Sequence, residues 1–173
     1  ELGYNEIVLL DALTYSGRRE NIEHLLNDSR VSFVHGSIND AVLVDETLAG
    51  VHAVVHFAAE SHVDRSITGA RLFFETNVVG TQQLLESARH ARVERFVHVS
   101  TDEVYGSIAV GSWKEDHILQ PNSPYSSSKA GSDLVALAYH RTYELPVMVT
   151  RCSNNYGPRQ FPEKVIPLFV TNL

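Results

Sequence analysis

Arg95-Phe96-Val97-His98-Val99-Ser100, followed by Thr101-Asp102-Glu103-Val104-Tyr105-Gly106, decides the fold. The first six residues read as a buried strand, and Thr101, Asp102 and Glu103 stand at its carboxyl end. In an open parallel α/β sheet, ligands lie beyond that end of the strands, so the run predicts both an architecture and a site. A second run, Tyr125-Ser126-Ser127-Ser128-Lys129, belongs with it. Ser123-Pro124 reads as an N-cap with proline at the first helical position, opening a helix to about Tyr143. Tyr125 and Lys129, four residues apart, then share one face. An ammonium beside a phenol favours the phenolate, which predicts a lowered tyrosine pKa and a base usable near neutral pH.

Outward from these runs the pattern alternates. Strands are expected at Ile7 to Leu10, Ser32 to His35, Ala53 to Phe57 and Pro146 to Cys152, besides the one at Arg95. Helices are expected near Glu20 to Asn27, near Asp40 to Leu48, over a long stretch from about Ala70 to Ala91, and from near Glu163. Repeated βα units mean a parallel sheet with helices on both faces, a Rossmann-like doubly wound fold. Gly106 to Asn122 reads as a loop over the site.

The composition narrows the function. The chain of 173 residues is the size of one domain, and 43% hydrophobic content suffices for a core. A net charge of −7 argues against nucleic acid or an anionic membrane as partner. No apolar run approaches the roughly 20 residues that a bilayer requires, so a cytoplasmic protein is expected. The single cysteine, Cys152, excludes an internal disulfide and reads as a buried structural thiol. The nine histidines form no metal signature, and no metal is expected; only His62 lies near the chemistry, without an assigned role.

With these residues in place, the chain resembles the extended short-chain dehydrogenase/reductase family, and within it the dTDP-glucose 4,6-dehydratases. The resemblance runs through Asp11-Ala-Leu-Thr-Tyr-Ser-Gly17, His56-Phe-Ala-Ala-Glu-Ser-His-Val-Asp-Arg-Ser66, Glu75-Thr-Asn77 and the two runs above, ending at Arg151-Cys-Ser-Asn-Asn-Tyr-Gly-Pro158 with Phe161-Pro-Glu-Lys164. It implies a lyase that takes water from dTDP-glucose to give dTDP-4-keto-6-deoxyglucose, with NAD as cofactor and a homodimer as the assembly.

The resemblance also implies roles. Tyr125 would take the 4-hydroxyl proton as hydride leaves C4, with Lys129 tuning it and binding the nicotinamide ribose. Thr101 would hold the 4-oxygen, Glu103 remove the C5 proton, and Asp102 protonate the departing 6-hydroxyl. Asp11, Thr14, Ser37, Ile38, Ala58, Ala59, Ser61, Thr76, Tyr125, Lys129 and Asn155 match cofactor positions. Ser61, Asn154, Glu163 and Lys164 match substrate positions. Ser37 departs from the usual aspartate of the family, which predicts weaker anchoring of the adenine.

None of the ten glycines forms a Gly-x-Gly-x-x-Gly turn ahead of Asp11, where a dinucleotide fold carries one. The expectation is a Rossmann-like sheet incomplete at both ends over residues 1–173, without the first strand or a C-terminal substrate domain, and inactive in isolation. Other nucleotide-sugar enzymes share the tyrosine and lysine: a UDP-glucose 4,6-dehydratase, an epimerase or a decarboxylase. An epimerase needs no elimination acid and base. An inactive scaffold or cofactor sensor would be expected to lose Asp102, Glu103, Tyr125 or Lys129, and all of them are present.

Overall fold

The computed structural model describes residues 6–173. Two compact units divide the chain, the first made of residues up to Gly36 together with Asn154–Leu173, the second of Ser37–Ser153. In the first unit, β1 (Ile7–Asp11) pairs in parallel with β2 (Val31–His35), Ile7 opposite Val31. Helix α6 (Val165–Thr171) belongs to the same unit.

The second unit carries a parallel sheet ordered β3 (Ala53–His56), β4 (Arg95–Thr101) and β5 (Val147–Cys152). Its helices are α1 (Ala41–Leu48), α2 (Val63–Thr68), α3 (Ala70–Phe74), α4 (Thr81–His90) and α5 (Pro124–Tyr143). Alternate strand residues face a core: Val54, His56, Phe96 and His98 are buried, while Val55 and Met148 are exposed. Helix α5 packs on β4 and β5, and α4 on α1 and α5. The α/β class, the parallel pairing and the Rossmann-like order are those that the alternation predicts.

Three elements differ from the pattern. No α-helix forms over Glu20 to Asn27. Arg19–Asn21 makes a 3-10 turn, and the bonds Leu25 to Ile22, Leu26 to Glu23 and Asp28 to Leu25 continue as tight turns. Asn21, Asn27 and Asp28 favour turns, and Leu25 is exposed, so no well-packed face supports a helix nucleus. The stretch from Ala70 is helical but not uniformly α, since Glu75–Gly80 winds as a π turn between α3 and α4. Helix α2 was not foreseen; His62 caps it, its Nδ1 accepting from the Arg65 amide at 3.4 Å.

Local chemistry sets the remaining ends. Asp40 caps α1 by accepting from the Leu43 amide. Ser123 and Ser126 cap α5 reciprocally, each side chain bonding the other's amide at 3.0 Å, with Pro124 at the first helical position.

Candidate active site

At the end of β4 the chain turns through a 3-10 segment, Asp102–Tyr105, with Thr101 as its N-cap. The Thr101 hydroxyl accepts from the Glu103 amide at 3.2 Å and lies 3.4 Å from Asp102 Oδ1. Val104 and Tyr105 are buried, which anchors the turn and leaves Asp102 and Glu103 half-buried at the sheet's carboxyl edge. The first turns of α5 place Tyr125 and Lys129 there as well, both buried. The Thr101 hydroxyl and the Glu103 carboxylate both lie close enough to the Tyr125 phenol to act on it. The predicted catalytic residues therefore come together within one unit.

Their electrostatics correct one expectation. Burial pushes the Tyr125 phenol up to about 12, the Glu103 carboxylate adds to this, and the neighbouring Thr101 hydroxyl only partly opposes it. Lys129 turns its ammonium to the Val99 carbonyl, 2.8 Å away, and is not among the groups that lower the phenol. Burial brings Lys129 itself down to about 8, against the opposing charges of Asp133 and Cys152. Desolvation of both groups outweighs the mutual effect that the four-residue spacing suggests.

A further correction concerns histidine. His62 is a helix cap, whereas His56 and His98 are buried close enough to Lys129 to feel its charge. Burial holds both imidazoles below their usual range. Cys152 is half-buried, its thiol directed to the Ser100 carbonyl at 3.4 Å.

The wall beside α5 is the loop after β3, where Ala58 and Ala59 are half-buried and Ser61 is exposed. Asn77, fully buried in the π turn, fixes that loop. Its carbonyl oxygen accepts from the Glu60 amide at 2.8 Å, and its amide nitrogen donates to the Glu60 carbonyl and to Ser128 Oγ, each at 2.9 Å. Ser128 in turn donates to the Tyr125 carbonyl. Asn77 and Ser128 were not singled out as site residues, though a π turn in a long helix is a frequent mark of one. Thr76, half-buried, precedes Asn77. Ser37 begins the second unit, and Ile38 packs so closely against Gly80 that a Cβ there would lie 2.8 Å from its side chain.

The other predicted residues belong to the first unit. Asp11 Oδ1 accepts from the Leu13 amide at 2.7 Å, and Thr14 starts the turn that closes at Gly17. Asn154 and Asn155 are exposed, the Asn155 carbonyl accepting from Gln160. Glu163 accepts from the Tyr15 hydroxyl at 3.0 Å, and Lys164 precedes α6.

The sequence pattern of the GDP-mannose 4,6 dehydratase family matches residues 1–173. The chain belongs to that family. It is 63% identical over 167 residues to a dTDP-glucose 4,6-dehydratase of Streptomyces antibioticus, covering 96% of this chain and 49% of the relative. Among solved structures, DesIV, a dTDP-glucose 4,6-dehydratase from Streptomyces venezuelae with NAD and TYD bound, superimposes with a TM-score of 0.97 at 64% identity. That match covers 99% of this chain and 53% of DesIV. A UDP-glucuronic acid 4-epimerase from Bacillus cereus, in complex with UDP-glucuronic acid and NAD, follows at 29% identity and a TM-score of 0.87, covering 94% of this chain and 52% of its own. The chain spans about half the length of the relatives it matches.

Proposed function

We propose that the whole protein is an NAD-dependent dTDP-glucose 4,6-dehydratase that forms dTDP-4-keto-6-deoxyglucose. The observation that carries this reading is the placement of the Thr101-Asp102-Glu103 turn against Tyr125, with a proton acceptor and two further carboxyl groups at one sheet edge. The 63% identity to the Streptomyces antibioticus enzyme supports it.

The donor set fits a nicotinamide dinucleotide. Lys129 and Thr76 suit ribose hydroxyls, Ala58 and Ala59 present small side chains, and Ser37 with Ile38 suits an adenine edge and face. Asp11, Thr14 and Asn155 are assigned to the same cofactor, and Asn154, Glu163, Lys164 and Ser61 to the nucleotide sugar. NAD, when bound, would supply the hydride acceptor for C4 and the hydride for C6, and its positive ring charge would favour ionisation of the buried Tyr125 phenol.

Tyr125 takes the 4-hydroxyl proton while Thr101 holds the 4-oxygen. The resulting ketone acidifies C5. Glu103 removes that proton, and Asp102 protonates the 6-hydroxyl so that it departs as water. Proton return to C5 completes a reaction whose only net change is the loss of one water.

The same reading makes the protein cytoplasmic and homodimeric, paired through α5 and the helical stretch from Ala70. Leu134 and Leu137, 60% and 43% exposed on α5, support that surface, as does exposed Ala138; they do not face the sheet. No helix among the described residues is long and apolar enough to cross a membrane.

Mass spectrometry of the product formed by the full-length protein from dTDP-glucose, with NAD below stoichiometric amounts, tests the proposal. A product lighter by one water, with no net cofactor consumption, is expected. An unshifted mass with inverted C4 would make the protein an epimerase, and faster turnover of UDP-glucose would reassign the nucleotide.

A further inference from the structure

Arg151 joins the two halves of the site from beneath. It lies on β5 directly beside Ser100, one residue before the catalytic turn. Its Nε donates to Asp133 Oδ2 at 2.8 Å, and Asp133 is a fully buried carboxylate on α5, one helical turn beyond Lys129. Its Nη1 donates to the Tyr105 hydroxyl at 2.8 Å and to the Glu115 carbonyl at 3.1 Å. Tyr105 closes the turn that carries Asp102 and Glu103, and its ring stacks on Trp113 at 5.8 Å with 15° between planes. One planar guanidinium thus binds the helix of Tyr125 and Lys129, the turn of Asp102 and Glu103, and the loop of residues 106–122.

A buried ion pair adds little net stability compared with an apolar replacement, and its best-attested use is to fix one arrangement among several. Guanidinium geometry suits that use, since its fork sets angles as well as distances. His98 does not replace Arg151 as counter-charge to Asp133. His98 Nε2 lies 3.0 Å from Ser132 Oγ, which gives its own proton to the Lys129 carbonyl, and 3.3 Å from Asp133 Oδ1, so the imidazole borders the carboxylate as a neutral neighbour. Burial keeps that ring neutral.

We propose that Arg151, anchored by Asp133, is a positioning residue that holds the Asp102-Glu103 turn in register with Tyr125, so that carboxylates and phenol address one bound sugar. The claim rests on the dehydratase reading for its kinetic consequence but not for its structural one. Tyr105→Phe removes only the hydroxyl that Arg151 holds, and Arg151→Lys keeps the charge without the fork.

The test uses the full-length protein and two measurements. Hydrogen exchange of amides 102–122 is expected to speed up by about tenfold in both variants, the loss of one charge-assisted hydrogen bond. In a single turnover of dTDP-glucose, the reduced-cofactor absorbance is expected to rise within about twofold of the parent rate and to decay about tenfold more slowly. Unchanged exchange overturns the proposal, and so does an equal slowing of rise and decay, which would mark general damage. Absence of any dehydration by the unmodified protein would instead defeat the dehydratase reading, and exchange would still decide the role of Arg151.

Discussion

Lys129 donates its ammonium to the backbone carbonyl of Val99 at 2.8 Å, tying the catalytic helix to the interior of β4. A lysine so buried is a charge held at a cost, which burial expresses by bringing it down to about 8 from 10.5. Below pH 8 the folded state pays for a buried cation. Between about 8 and 10.5 the unfolded chain binds more protons than the folded one, so this residue's contribution to stability improves as pH rises. Lys129→Met is therefore expected to be relatively most stable near pH 7, with its advantage shrinking toward pH 10 by at most about 1.4 kcal/mol per unit. Urea denaturation of both proteins across that range checks it; a constant difference would contradict the assignment.

Asp102→Asn and Glu103→Gln are expected to leave C4 oxidation intact and to slow elimination by about 100- to 10,000-fold, whereas Tyr125→Phe stops the first step. Rapid-mixing absorbance separates the two classes. Failure of the carboxylate variants to accumulate reduced cofactor would show that oxidation and elimination share their groups.

Asn77→Ala strips partners from the Glu60 backbone and Ser128 in a site closed to bulk solvent. Buried groups left unpaired cost roughly 1–3 kcal/mol each, so a loss of at least about 2 kcal/mol is expected, with weaker NAD binding. Denaturation midpoints and calorimetric titration measure both. Loss of stability without loss of NAD affinity would remove the 58–61 loop from the cofactor site.

Gly106 sits at φ 85° and ψ −145°, and a Cβ there would stand 2.2 Å from the Gln120 carbonyl oxygen. That conformation is close to glycine-only. Gly106→Ala is expected to destabilise the protein by about 2 kcal/mol or more and to release the loop, visible as faster proteolysis within residues 107–119. An alanine variant of parental stability would mean that the loop can rearrange at little cost.

Leu134→Glu combined with Leu137→Glu places charge on the α5 face assigned to pairing. Sedimentation of the full-length protein is expected to change from dimer to monomer at micromolar concentration. A parent that is already monomeric would count against the pairing, and a variant that stays dimeric would move the interface elsewhere.

Local sequence determined much of this protein. The alternation of apolar strands with polar breaks sufficed for the α/β class, because a period of two and a period of 3.6 leave different residue patterns. Ser123-Pro124 placed the start of α5 to the residue, since capping is a contact between near neighbours. Thr101, Asp102 and Glu103 were legible as chemistry because they follow a strand directly. Tertiary structure decided what depends on burial and on distant partners. The direction of the Lys129 ammonium follows from where Val99 and the helix meet, and the raised phenol of Tyr125 from its burial beside Glu103. Asn77, with partners 17 and 51 residues away, owes its role to a π turn that periodicity does not reveal. Arg151 lies 18 residues from Asp133 and 46 from Tyr105, and only packing of β5 against α5 and the catalytic turn makes one guanidinium their common partner. Desolvation and long-range hydrogen bonding are properties of the assembled core, and no window of sequence contains them.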